Sequence, residues 1–125
     1  MSEADEQREI IEWFTARWPE YRRSIRVSLA GLNFGSGARA GRMVNHVRSQ
    51  GICKGESDIL IALPRGPYGS LVIEHKKGDA MRGATGEQLE YLQYHNAVGN
   101  CAVCTQGVDM AKAAINQYMD LLYEQ

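Results

Sequence analysis

Asp58, Glu74 and Lys76 are the residues of this 125-residue chain best placed by type and spacing to do chemistry together. Glu74 and Lys76 end an apolar run, Ser70-Leu71-Val72-Ile73-Glu74-His75-Lys76, while Asp58 begins another, Asp58-Ile59-Leu60-Ile61-Ala62-Leu63. Between them Pro64-Arg65-Gly66-Pro67-Tyr68-Gly69 is a dense turn signal, so the stretch predicts a β-hairpin. Strand side chains alternate faces, which puts Glu74 and Lys76 on one side and Ile73 and His75 on the other. Antiparallel pairing would bring Asp58 beside Glu74 and Lys76. Two converging carboxylates repel unless a cation lies between them, and hard oxygen ligands suit Mg²⁺ or Mn²⁺ rather than zinc.

Other elements must hold these groups. Ser2 with Asp5 three residues on predicts a helix start, and Pro19 a stop. Ile10, Phe14 and Trp18 recur every fourth residue between them. Carrying that stripe backwards reaches Gln7 and Glu3, with Glu6 one turn before Ile10. Glu3 or Glu6 could therefore face the strands, or simply complement the helix dipole. Ser24 to Leu29 alternates as a half-exposed strand, residues 30–41 form a glycine-rich loop, and Met43 to Gln50 reads as a short helix stopped by Gly51. Thr85 with Gln88 three on is a capping-box pattern opening a helix that runs to Gly99, with Leu89, Leu92 and Asn96 on one face. Gln88 could close the box or point at the hairpin end. Cys101 to Thr105 reads as a buried strand, its two cysteines small apolar residues rather than metal ligands. A last helix from Val108 to Tyr123 would bury Ala111, Ala114, Ile115, Tyr118, Leu121 and Leu122. The order implies a single domain over residues 1–125, an α/β sandwich whose mixed central sheet carries helices on its faces.

The formal net charge is only −1, but charge is unevenly spread. From Arg17 to Lys54 there are eight arginines and lysines against one acid, Glu20, so a basic flank adjoins an acidic pocket. Arg39, Arg42, Lys54 and Lys77 are candidate contacts to a DNA backbone; a solvated charged surface is the plainer alternative. No apolar run reaches the roughly 20 residues of a membrane span, and an acidic start with three cysteines fits a reduced, intracellular setting, the cytoplasm.

Asp58 followed by Glu74-His75-Lys76 after a hairpin resembles the Asp…Glu-x-Lys signature of the restriction-endonuclease-like, or PD-(D/E)XK, superfamily. Together with Gly51-Ile52-Cys53-Lys54-Gly55-Glu56-Ser57-Asp58, Gln88 opening a helix with Tyr91-Leu92, and Gly99 before a strand, nearly the whole chain resembles a VRR-NUC (virus-type replication-repair nuclease) domain of the stand-alone phage kind. Glu56-Ser57 departs from the valine-proline usual before the aspartate, which loosens a turn without removing a ligand. The resemblance implies a three-layer restriction-endonuclease-like sandwich and a Mg²⁺- or Mn²⁺-dependent DNA endonuclease. The metal would be held by Asp58, Glu74 and the backbone carbonyl of His75. Lys76 would orient the attacking water, Gln88 would support the site, and a first-helix acid, Glu3 by alignment with Glu6 close behind, would complete it. Homodimers acting on branched DNA such as Holliday junctions are also implied. Two other readings stay open: a DNA-binding or assembly module with a vestigial site, and a purely structural ion cluster.

Overall fold

The structure is a computed structural model and describes residues 2–27, 59–79 and 85–122. The glycine-rich loop, the helix expected at 43–50, Glu56-Ser57 and the candidate residues Arg39, Arg42, Lys54 and Asp58 lie outside the described residues.

Helix α1, Glu3–Arg17, starts as its sequence predicts. The Ser2 hydroxyl accepts from the Asp5 N–H at 3.1 Å and the Asp5 carboxylate accepts from the Ser2 N–H at 3.1 Å, satisfying two donors that the first turn leaves open. Glu6, Gln7, Ile10 and Phe14 form its buried stripe. The helix ends at Trp18, ahead of a 3-10 turn over Pro19–Tyr21, and the Trp18 ring packs 5.2 Å from that of Phe14.

Among the described residues four strands form one mixed sheet in chain order: β1 (Ile25–Val27), β2 (Ile59–Ile61), β3 (Leu71–Lys76) and β4 (Cys101–Gln106). β1 and β2 pair antiparallel, as do β2 and β3, with Ile59 opposite Ile73. β3 and β4 run parallel, Leu71 beside Cys101 and His75 beside Thr105. The parallel pair needs a crossover, and helix α2 (Gly86–Ala97) supplies it. Helix α3 (Val108–Met119) follows β4.

Two faces of the sheet have different partners. Ile59, Ile61, Leu71 and Ile73 pack with Ile10 and Phe14 of α1 and Ala111, Ile115 and Tyr118 of α3 in the main core. Each isoleucine, leucine or phenylalanine among them contributes about 1.5–3 kcal/mol through burial. The opposite face, with Val72 and Glu74, lies under α2, whose Leu92 is buried. The result is the expected three-layer sandwich. Alternation along β3 is strict in direction but both faces are covered, so Leu71 through His75 are all buried.

Several expectations change. The last helix stops at Met119 rather than Tyr123, and the chain turns so that the Leu122 carbonyl accepts from the Gly66 N–H at 2.7 Å. Leu121 and Leu122 are therefore exposed, not part of the buried stripe. Leu89 is also exposed, because α2 presents Leu92 to the sheet and Asn96 to the backbone of β4, where it bonds both N–H and C=O of Ala102 at 2.9 and 3.2 Å. The strand expected to be buried at 101–105 is mostly half-buried or exposed, and among the described residues it lies at the end of the sheet order. Cys104 is accordingly exposed and Cys101 half-buried, and burial pushes the Cys101 thiol up from its ordinary value.

Candidate active site

β3 carries the site because it lies second from the edge, fixed by β2 on one side and β4 on the other. Its period-two geometry places Glu74 and Lys76 on the α2 face. Glu74 is 1% exposed, and the Lys76 ammonium lies 3.4 Å from its Oε1. A carboxylate so deeply buried loses much of its hydration, which is tolerated where charge-assisted hydrogen bonds replace it.

Gln88 supplies one of those bonds. Its Nε2 donates to Glu74 Oε1 at 2.5 Å, while its Oε1 accepts from the Thr85 N–H at 2.7 Å and its own N–H donates to the Thr85 hydroxyl at 3.3 Å. The two roles open in the sequence are thus filled at once, with opposite ends of one amide. The capping box orients Gln88, so the start of α2 aims a donor at the sheet.

The first-helix acid that meets the sheet is Glu6. It is buried, and its two oxygens accept separately: Oε1 lies 2.9 Å from His75 Nε2 and Oε2 takes the Gly78 N–H at 3.0 Å. Burial alone would push this carboxyl up; the Gly78 N–H and the His75 ring outweigh it and hold Glu6 below the usual carboxylate range. His75 projects from the face opposite Glu74, so Glu6 lies across β3 from the Glu74–Lys76 pair. Glu3 is half-buried one turn nearer the helix N-terminus. Lys77 is tied to Asp79 in an exposed ion pair at 3.3 Å.

The other ring nitrogen of His75, Nδ1, lies 3.0 Å from the Thr105 hydroxyl. His75 is fully buried and Thr105 nearly so. Sequence reading missed this chain of Glu6, His75 and Thr105. Its signal was a histidine third in the inward series Leu71, Ile73, His75, since a buried polar side chain demands partners. What the sequence lacked was the partner, 69 residues away in the case of Glu6.

Asp58 immediately precedes Ile59, whose partner is Ile73, the residue before Glu74. Among the described residues no cluster of three histidine, cysteine, aspartate or glutamate side chains could hold a metal. The donor chemistry around Glu74 nevertheless fits a hard divalent cation: a carboxylate, an amide that orients it and an ammonium for neighbouring anionic charge. An apolar cavity of about 250 Å³ opens elsewhere, between the beginnings of β3 and β4 and α3, lined by Leu71, Cys101, Tyr118 and Leu121 among others. No described helix is long and apolar enough to cross a membrane.

A mixed sheet between helices, with a buried Glu74 and a half-buried Lys76 paired at the end of its hairpin, defines a restriction-endonuclease-like fold. The resemblance to VRR-NUC domains is borne out in three dimensions. A solved structure of a VRR_NUC domain protein superposes with a TM-score of 0.77 at 25% identity, covering 98% of this chain and 92% of that one. The chain is a nuclease-like domain of that fold. No family profile matches it, and neither does any curated protein.

Proposed function

We propose that this chain is a Mg²⁺- or Mn²⁺-dependent DNA endonuclease, acting inside the cell and preferring branched DNA such as Holliday junctions. The observation that carries the reading is the convergence of Glu74, Lys76 and Gln88 on one face of β3, in a fold shared with a VRR_NUC domain protein.

Asp58, Glu74 and the His75 carbonyl would hold the cation. Bound there, it would lower the pKa of a coordinated water and offset charge on the scissile phosphate. The chain's own residues supply the rest. Glu74 offers a carboxylate already oriented by Gln88, so little rearrangement accompanies binding. Lys76 sets a positive charge 3.4 Å from that carboxylate, placed to orient the attacking water and to stabilise the phosphate oxygens as their charge grows. Burial of Glu74 keeps bulk water from screening these charges. Inline attack would expel the 3′ oxygen and leave a 5′ phosphate. Arg39, Arg42, Lys54 and Lys77 would contact the DNA backbone, and two copies related by a two-fold axis would present two sites to a junction.

The test is cleavage of labelled four-way junction and linear duplex with Mg²⁺ or Mn²⁺, comparing the parent with Asp58→Ala and Lys76→Ala. Metal-dependent cutting abolished by both substitutions is expected, with the junction cut faster. Binding of both DNAs without cutting would replace the reading with a DNA-binding or assembly module.

A further inference from the structure

His75 sits between the two residues that the proposed chemistry uses, yet its ring points away from them. Two groups that meet the ring on that far side, Glu6 and Thr105, belong to a set of contacts that also holds the backbone of the strand end. Glu6 bonds both the His75 ring and the Gly78 N–H, so one carboxylate spans residues 75 and 78. The Thr105 hydroxyl meets the other ring nitrogen from the neighbouring strand, level with His75 in the parallel register. From β4 onwards, the Gly107 N–H donates to the Lys76 carbonyl at 2.9 Å and the Gln106 side-chain amide to the Gly78 carbonyl at 3.3 Å. Gly78 and Gly107 pass so closely that a Cβ on either would lie 3.5 Å from the other's Cα.

A polar network of this burial is not needed to fill the core. Aliphatic residues of similar volume would do so without desolvating a carboxylate, a ring and a hydroxyl. What directional hydrogen bonds provide is a unique orientation. Rotation of the β3 end about its own axis would swing Lys76 relative to Glu74, and the bonds to His75 and Gly78 oppose that rotation from the opposite face. We propose that Glu6, His75 and Thr105 are positioning residues for the phosphodiester reaction, clamping the end of β3 so that Lys76 and Glu74 keep their relative placement. This rests on the nuclease reading above. Glu6 therefore acts through the strand rather than as a ligand beside Glu74.

The test uses Glu6→Gln, Thr105→Val and Thr105→Ser in the full chain, with two readouts. Steady-state cleavage of DNA with Mg²⁺ should show kcat reduced about 10- to 100-fold in Glu6→Gln and Thr105→Val, as for other residues that orient reacting groups, with KM for DNA changed less than about twofold. Thr105→Ser, which restores the hydroxyl, should recover most of kcat. Amide hydrogen exchange, read without substrate or metal, should be faster at Gly78 in a further variant, Glu6→Ala, which leaves no side-chain oxygen to accept its N–H. A folded Thr105→Val with unchanged kcat, or a Thr105→Ser no better than Thr105→Val, overturns the positioning role. Unchanged exchange at Gly78 overturns the clamp. A parent that cuts no DNA overturns the nuclease reading, and the positioning role with it, while the exchange measurement still reports on the clamp alone.

Discussion

Gln88→Glu separates the two jobs that one amide performs. Glutamate is as good as glutamine at closing a capping box with Thr85, so the start of α2 should survive. The end that faces Glu74 changes from a donor to an anion. In the parent that donor lies 2.5 Å from a carboxylate that is 1% exposed. Two charges at such a separation repel by about 6–7 kcal/mol at an effective dielectric near 20, a ceiling that side-chain rotation and the neighbouring Lys76 will reduce. Loss of the hydrogen bond to a charged group contributes a further ~1.5–3 kcal/mol. We expect a net loss of about 3 kcal/mol at pH 7 after relaxation, or on the order of 10 °C in melting temperature for a chain of this size. Urea unfolding at pH 7 and at about pH 5 is the assay, because protonating one of the two carboxyls restores a donor and should recover part of the loss. Gln88→Ala, which loses both jobs, is the companion variant. A Gln88→Glu protein within ~0.5 kcal/mol of the parent at pH 7, or a penalty that does not vary with pH, would refute the idea that Gln88 anchors Glu74.

Three further outcomes are expected. The Glu6 carboxyl is held below its ordinary 4.5, so its stabilisation is fully present above that value and is lost as pH falls through the lower folded one; the stability difference between the parent and Glu6→Gln should shrink on acidification from pH 7 towards about pH 3, and a constant difference would contradict the assigned partners. Tyr118, whose hydroxyl donates to the Leu63 carbonyl at 2.6 Å, is pushed by burial up to about 12 from 10.0. Its stabilisation is present below pH 10 and lost as pH rises towards 12, so Tyr118→Phe should remove one late step from an ultraviolet tyrosine titration and cost about 0.5–1.5 kcal/mol. Mn²⁺ or Mg²⁺ at about 100 times its dissociation constant should raise the unfolding free energy by ~2.7 kcal/mol through mass action; Asp58→Ala should abolish the rise, and an unmoved melting temperature in the parent would favour the structural ion cluster.

The parts of the fold visible in the sequence are those governed by local rules. Ser2 with Asp5 and Thr85 with Gln88 announce helix starts because the groups they satisfy lie within one turn. Glu74 and Lys76 share a face because strand alternation admits no other arrangement. Gln88 was ambiguous only because an amide has two ends, and both are used. Non-local packing was harder to read. The stripe through Ala111, Ile115 and Tyr118 continues smoothly to Leu122, and periodicity alone cannot reveal that the chain leaves the helix after Met119 to meet Gly66. Cys104 is exposed on β4, which ends the strand order among the described residues, and no single strand's composition encodes that position. Glu6 bonding His75 is the same kind of fact, a contact across most of the chain whose need was legible in the buried face of β3 but whose partner was not.

The position of β4 has a consequence for the order in which a growing chain acquires its site. Synthesis delivers β2 and β3 together, and a hairpin closes from local chain alone. The other edge of β3 must wait for Cys101–Gln106, and the cover over Leu71 and Ile73 is not complete until α3 has emerged. Until then an apolar strand with one open edge is left uncovered, the kind of surface that chaperones hold and that aggregation exploits. Thr105 and Gly107 arrive in that same late segment. A nascent chain shorter than this has Glu74 and Lys76 but lacks the strand and helix that fix the end of β3, so the arrangement around them is set only once β4 and α3 have emerged.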